Sequence, residues 1–293
     1  MRSFILFIIF FLTGLPAFAS TVALFHALDE DISTLKKEGA TQVRSFSVGD
    51  ISILQLTLQG HSIYAVKMGS GCVQTTVSAQ ALLAKQKCDL AISIGPVGDI
   101  RGTLDHQSWY LVNKVVSWQR GSHGDTGFVA HREATQNLTL GPAEPKVQEP
   151  YANLPKLSVA SGEVFVASDS FRGDLASQSK CDAVDMNLFG LLAVLNSHKV
   201  VGIHLRIPSD KADSKAGEDF RKFIENYEGE GGRLVAQIIR ALPEDKTSPN
   251  AHKALRNLFN EPAKDQVLPE VPQAGKERDV PAKPDDSEFQ RDR

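Results

Sequence analysis

Asp210 stands just beyond an apolar run, Val200 to Leu205, inside the octapeptide Arg206-Ile207-Pro208-Ser209-Asp210-Lys211-Ala212-Asp213. The run predicts a strand, and in an open α/β sheet ligands bind at the carboxyl ends of the strands. A carboxyl group held there can hand a proton to a leaving group if burial among apolar walls keeps it protonated near neutral pH. Arg206 could instead hold it ionised. A plainer use of the same residues is an ion pair between Arg206 and Asp210 that orders a loop, with Ser209-Asp210 capping the next helix. A second acidic group, Asp29-Glu30-Asp31, opens a helical pattern, where the helix dipole favours negative charge. Gly69-Ser70-Gly71 and Gly95-Pro96-Val97-Gly98 read as turns, which would let the backbone pass close to a ligand.

The elements that must position these residues alternate as in α/β proteins. Strands are predicted at Thr21 to Phe25, Val43 to Val48, Ile51 to Leu58, His61 to Lys67, Leu90 to Ile94, Leu111 to Trp118 and Glu163 to Ala167. Helices are predicted at about Asp29 to Glu38, Cys72 to Lys87, Met186 to Asn196 and Phe220 to Leu242. Gly229-Glu230-Gly231-Gly232 should break or kink the last of these. The polar stretch from Ser122 to Pro155 reads as a long loop over the sheet edge.

Residues 1–19 have the form of a secretion signal: Arg2, an apolar run from Phe4 to Leu12, then Ala17-Phe18-Ala19 as a small-residue cleavage site. The run is short for a membrane span, so an exported chain, periplasmic or secreted, is expected, with no membrane attachment after cleavage. The chain beyond the signal is long enough for one large domain over residues 20–242. The tail, 243–293, is rich in Pro, Lys, Glu and Asp and is expected to be disordered. A formal net charge of -3 without a basic stripe argues against nucleic acid as a partner and leaves a small-molecule ligand. Three cysteines, Cys72, Cys88 and Cys181, are too few and too scattered for a zinc site or a disulfide scaffold. No cofactor is called for.

Four stretches taken together, Gly69-Ser70-Gly71, Ser93-Ile94-Gly95-Pro96-Val97-Gly98, Val184-Asp185-Met186-Asn187 and the Asp210 octapeptide, resemble the nucleoside phosphorylase and nucleosidase family, which cleaves the N-glycosidic bond of purine nucleosides. The resemblance spans about residues 21 to 242 and is poor from 120 to 155. It implies a single-domain, three-layer α/β/α fold with a central mixed β-sheet, a purine nucleoside as ligand, and a homodimer. Arg-x-x-Ser-Asp-x-Ala-Asp is the family's acid motif, so the resemblance makes Asp210 the acid at the purine N7, with Arg206 and Ser209 beside the substrate. Phe220 and Phe223 follow at the spacing of the family's Asp-Phe-x-x-Phe helix, and Gly71 and Gly98 fall in its two Gly-containing turns. Ala27-Leu28-Asp29-Glu30-Asp31-Ile32 is similar to the nucleosidase opening Ala-Met-Glu-Glu-Glu-Val, which gives Asp31 the task of orienting the attacking water. Val166-Ala167-Ser168-Asp169-Ser170-Phe171-Arg172 is similar to Val-Ser-Gly-Asp-x-Phe, which assigns Phe171 to stacking on the base and the Arg172 backbone to reading its edge. Met186 would lie under the ribose.

Two departures bear on the activity. Asn187 replaces the second Glu of the family's Glu-Met-Glu, which grips the ribose 2′- and 3′-hydroxyls. A carboxylate accepts both protons in charge-assisted bonds, whereas Asn offers one acceptor oxygen and an NH₂ donor. Pro96 removes a hydroxyl and an N–H from the second turn. Ser93 stands where the phosphorylase branch has Arg, so water is the expected acceptor. Hydrolysis of a purine nucleoside or a 5′-modified adenosine is the leading expectation. A non-catalytic nucleoside-binding relative and a phosphorylase are the alternatives.

Overall fold

The computed structural model describes residues 20–124, 127–130, 135–138 and 148–242. The expected leader and the expected disordered tail lie outside the described residues. Four apolar runs form the middle of one sheet: β1 (Thr21–His26), β4 (His61–Lys67), β5 (Leu90–Asp99) and β12 (Val201–Asp210) lie parallel in the order β12-β5-β1-β4. Layers cover both faces, so these strands are nearly continuously apolar rather than alternating. Beyond β4, β3 (Ile51–Leu58) and β2 (Thr41–Val48) continue antiparallel. On the other side β6 (Tyr110–Ser117), β10 (Lys156–Ser161) and β11 (Ala183–Asp185) complete a mixed sheet.

On one face α1 (Asp29–Lys37) and α6 (Glu230–Arg240) bury Ile32 and Leu35 with Val235, Ile238 and Ile239 against the sheet. On the other, α2 (Cys72–Lys85) and α4 (Leu188–His198) bury Leu82, Leu83, Leu191 and Leu195. The architecture is therefore the expected single three-layer α/β/α domain. A smaller cluster joins Leu175 of α3 (Asp169–Ser179) to Val166, Val184 and Ala212, and α5 (Ala216–Asn226) follows β12.

Several elements differ from the sequence reading. The strand expected at Glu163 to Ala167 lies earlier, as β10, because β11 pairs with residues 159 to 161 only; the chain turns out of the sheet at Gly162. The Glu-Val-Phe-Val pattern suits a strand but finds no edge to join. The expected long loop contains β7 (Gly121–Gly124) paired with β8 (Gly127–Ala130), and β9 (Thr135–Asn137) on β6. The closing helical region breaks where Gly229 takes φ +83, and a Cβ there would collide with the Glu30 carbonyl. Finally, β12 runs five residues past Leu205, and its register on β5 shifts between Pro208 and Asp210, so that Asp210 pairs with Gly98. All three cysteines are free. Among the described residues no helix is long and apolar enough to cross a membrane, and no group of three or more His, Cys, Asp or Glu side chains could hold a metal.

Candidate active site

A cavity of about 480 Å³ opens at the carboxyl ends of β1, β4, β5 and β12, within the range of small-ligand sites. Its lining holds Gly98, Met186, Asn187, Ser209, Asp210 and Phe220, six of the residues singled out from the sequence. Asp210 is 2 % exposed. Its Oδ1 accepts from the Ala212 N–H at 2.8 Å and its Oδ2 from the Ser209 hydroxyl at 2.8 Å. Burial pushes its carboxyl above the ordinary range, and the two donors pull in the opposite direction without cancelling that effect. Ser209 Oγ also lies 3.2 Å from the Val97 carbonyl. When Asp210 is protonated, the serine proton can go to Val97 while the carboxyl keeps its own proton for a ligand. Gly98 makes room for this, since a Cβ there would press on Asp210 Oδ1 and Val184.

Arg206 does not pair with Asp210, contrary to both sequence readings that joined them. Its guanidinium is 1 % exposed and binds Asp185 Oδ2 through Nε at 3.3 Å and Nη2 at 3.2 Å. Nη1 donates to the Leu205 carbonyl at 3.0 Å and to Ser93 Oγ at 3.2 Å. Ser93 in turn meets His204 Nδ1 at 2.8 Å. Because Arg206 can only donate, the serine proton is free for His204, whose pKa burial has pushed down to about 3. Alternation alone would put Arg206 and Asp210, four apart, on one face, but the register shift between Pro208 and Asp210 interrupts it. Asp185 is the partner needed to bury a guanidinium. It also accepts from the Asn187 and Leu188 N–H groups, so it fixes the start of α4.

Asn187 is held by both of its side-chain N–H groups, to the Gly69 carbonyl at 2.6 Å and Thr75 Oγ1 at 2.8 Å. Gly69 and Ser70 line the cavity, whereas Gly71 does not. Gly71, at φ +100, instead starts α2 and leaves space for Glu163, whose Oε1 accepts from the Val73 N–H at 2.8 Å.

Three further placements overturn expectations. Asp31 is 1 % exposed but lies in the α1–α6 contact, where Oδ1 accepts from Tyr227 Oη at 2.5 Å and the Gly232 N–H at 3.1 Å. Its Oδ2 has no hydrogen-bond partner among the described residues. Burial raises its pKa to about 7. The helix turns residues 31, 32, 34 and 35 inward together, and the short Asp side chain follows that face instead of reaching the cavity. Phe171 sits edge-on to Trp118 at 5.4 Å, outside the cavity lining. Arg172 braces α3 to the segment after β12 through the Lys211 carbonyl at 2.9 Å.

Phe165 lines the cavity together with Phe220, 5.9 Å from it, and is followed by Val166. The sequence carries a signal for it, because Ser161-Gly162-Glu163-Val164-Phe165 matches Ser-Gly-Asp-x-Phe with Glu for Asp, six residues before the segment that ends at Phe171. Lys67 also lines the cavity and pairs with Asp29 at 2.6 Å. Nothing in its local sequence distinguishes it from an ordinary strand-end lysine.

Residues 21–240 match the family model described as the phosphorylase superfamily. The chain is 23% identical to a 5'-methylthioadenosine/S-adenosylhomocysteine nucleosidase of Anoxybacillus flavithermus, over 75% of this chain and 98% of that protein. Against a nucleosidase of the same description from Marinomonas sp. the identity is 22%, over 75% and 99%. Two solved structures from Helicobacter pylori share the fold. Futalosine hydrolase superposes with a TM-score of 0.67 at 18% identity, covering 76% of this chain and 99% of that one. The 5'-methylthioadenosine/S-adenosylhomocysteine nucleosidase with butyl-thio-DADMe-Immucillin-A gives 0.68 at 20%, covering 77% and 100%.

Proposed function

The chain belongs to the phosphorylase superfamily, and on that premise we propose that it is an enzyme of the nucleosidase type, hydrolysing the N-glycosidic bond of a purine nucleoside or a 5′-modified adenosine. The observation that carries this reading is Asp210: a buried carboxyl, pushed toward its protonated form, facing a nucleoside-sized cavity. In the reaction the C1′–N9 bond breaks with its electron pair going to the purine, Asp210 gives its proton to N7, and water oxygen bonds to C1′ and releases a proton. General-acid help of this kind contributes roughly 10²–10⁴-fold. Phe165 and Phe220 supply the apolar faces for the base, and Met186 and Asn187 border the sugar.

Water rather than phosphate is the acceptor in this reading. The cation lining the cavity, Lys67, is engaged by Asp29, and Arg206 is committed to Asp185. A second reading, a nucleoside-binding relative without turnover, is favoured by one observation. Asp31 is turned into the α1–α6 contact, so the carboxylates lining the cavity are Asp185 and Asp210. Incubating the purified chain with methylthioadenosine, adenosine and inosine, with and without phosphate, separates the readings. Release of free base without phosphate supports the nucleosidase; thermal stabilisation by a nucleoside with no release moves the assignment to the binder.

Export and self-association belong to the same proposal. The signal-like residues 1–19 support export to the periplasm or beyond, which N-terminal sequencing of the exported chain tests. Val73 and Val77, exposed one turn apart on α2, and the exposed Val164 and Phe165 support a second copy packing over the cavity mouth. Sedimentation of the wild-type chain and of Val77→Asp tests this: a dimer that the variant loses is expected.

A further inference from the structure

The side chain that borders the sugar has one polar atom left to offer. The Gly69 carbonyl can only accept, so the amide of Asn187 must turn its nitrogen toward it, and the orientation of the group is settled. Thr75 Oγ1 takes the second N–H, because its own proton is directed to the same Gly69 carbonyl at 3.3 Å. Both donors are then used, and Oδ1 is the remaining acceptor. The position is not free to adjust: the Asn187 N–H is tied to Asp185, Asp185 is tied to Arg206, and Arg206 is tied through Ser93 to His204. A Glu at this place would set a carboxylate oxygen against the Gly69 carbonyl, so the surroundings are built for the amide.

From this we infer that the site accepts purine deoxynucleosides on nearly equal terms with ribonucleosides, because one neutral oxygen is satisfied by either sugar hydroxyl. The inference rests on the nucleoside-site reading above and names its sugar class. A carboxylate that accepts from both hydroxyls loses a charge-assisted bond when either is missing, which costs between about tenfold and a hundredfold or more. A single neutral acceptor loses between about twofold and tenfold at most.

The test uses the unmodified chain with adenosine, 2′-deoxyadenosine and 3′-deoxyadenosine, measuring kcat/KM for base release and, by calorimetry, the Kd of any that is not cleaved. Values for all three within about tenfold of one another are the expected result. A larger drop for either deoxy analogue, with adenosine cleaved, overturns the inference and leaves the nucleosidase reading intact. If none is cleaved but all three bind within that same range, the inference stands and hydrolysis fails. If neither adenosine nor methylthioadenosine reacts or binds, both are lost. Asn187→Ala supplies an independent check, with folding followed by thermal melting: a folded variant that loses between about twofold and tenfold on all three nucleosides alike supports the single-acceptor account, and one whose loss falls on adenosine alone counts against it.

Discussion

Asp210 and Asp31 are both buried carboxylates, both pushed toward the protonated form by desolvation and both bound by a hydroxyl and a backbone N–H. They differ in what lies beyond the carboxyl. Asp210 faces the cavity at the end of β12, whereas Asp31 is closed in by Tyr227 and the glycines that start α6. A raised pKa therefore does not by itself identify a catalytic acid here. The empty volume next to the group decides between a proton donor for a ligand and a proton-dependent strut between two helices.

The largest effect expected from breaking this comparison is on turnover. Asp210→Asn should lower kcat by roughly 10²–10⁴-fold while leaving nucleoside affinity near its wild-type value. Asp31→Asn should leave kcat within about threefold, since nothing at Asp31 touches the cavity. Equal losses in the two variants, measured by base release, would return Asp31 to the catalytic role that the resemblance gave it.

Arg206→Met sharpens the Asp210 half. It leaves Asp185 buried without its partner, and denaturant unfolding should show a loss of about 3–5 kcal/mol. Pairing it with Asp185→Leu should recover a good part of that loss. Because Arg206 does not touch Asp210, the alkaline limb of the pH–rate profile of the folded variant should stay in place. An upward move of that limb would indicate that Arg206 restrains Asp210 after all.

The Asp31 half has its own signature in stability. Its folded pKa of about 7 lies above the ordinary 3.8, so between those values the folded chain holds a proton that the unfolded chain has released. Folding then binds protons, and stability falls as pH rises through that window, by up to about 1.4 kcal/mol per pH unit. Asp31→Asn should flatten this slope and leave the variant the more stable of the two above neutrality. Unfolding curves from pH 5 to 8 check it; parallel curves for the two proteins would show that Asp31 titrates normally.

The smallest expected effect separates two phenylalanines. Phe165→Leu should weaken nucleoside binding by up to about tenfold through lost ring contacts. Phe171→Leu, which disturbs only the Trp118 contact, should leave Kd unchanged. Calorimetry on both variants measures the difference, and a larger effect at Phe171 would mean that the base sits on the α3 side.

Much of the fold was legible because its signals are local. Ile51–Leu58 and His61–Lys67 read as strands from β-branched content and turned out with those bounds, and Gly229 marked the break before α6 because few other residues take a positive φ. The Asp210 motif and the Asn187 segment were found for the same reason, being short runs whose spacing survives in the chain. The stacking aromatic was misplaced although its signal existed, since Glu163 stood where the pattern has Asp and the better-spelled Ser168-Asp169 drew the match.

What the sequence by itself determined is the α/β class, the order of most of the core strands and helices, and the kinds of group that could meet at the sheet's carboxyl edge. Only the tertiary structure decided who meets whom. Arg206 found Asp185, 21 residues away, instead of Asp210, four residues away, because a register shift separates the two strand positions and a buried guanidinium needs a carboxylate in reach. Asp31 was drawn to Tyr227, 196 residues along the chain, because the packed face of α1 met α6. Side-chain spacing along a strand or helix is local and can be read from residue types. Partnership and burial depend on which distant surfaces come together, and no local pattern encodes that.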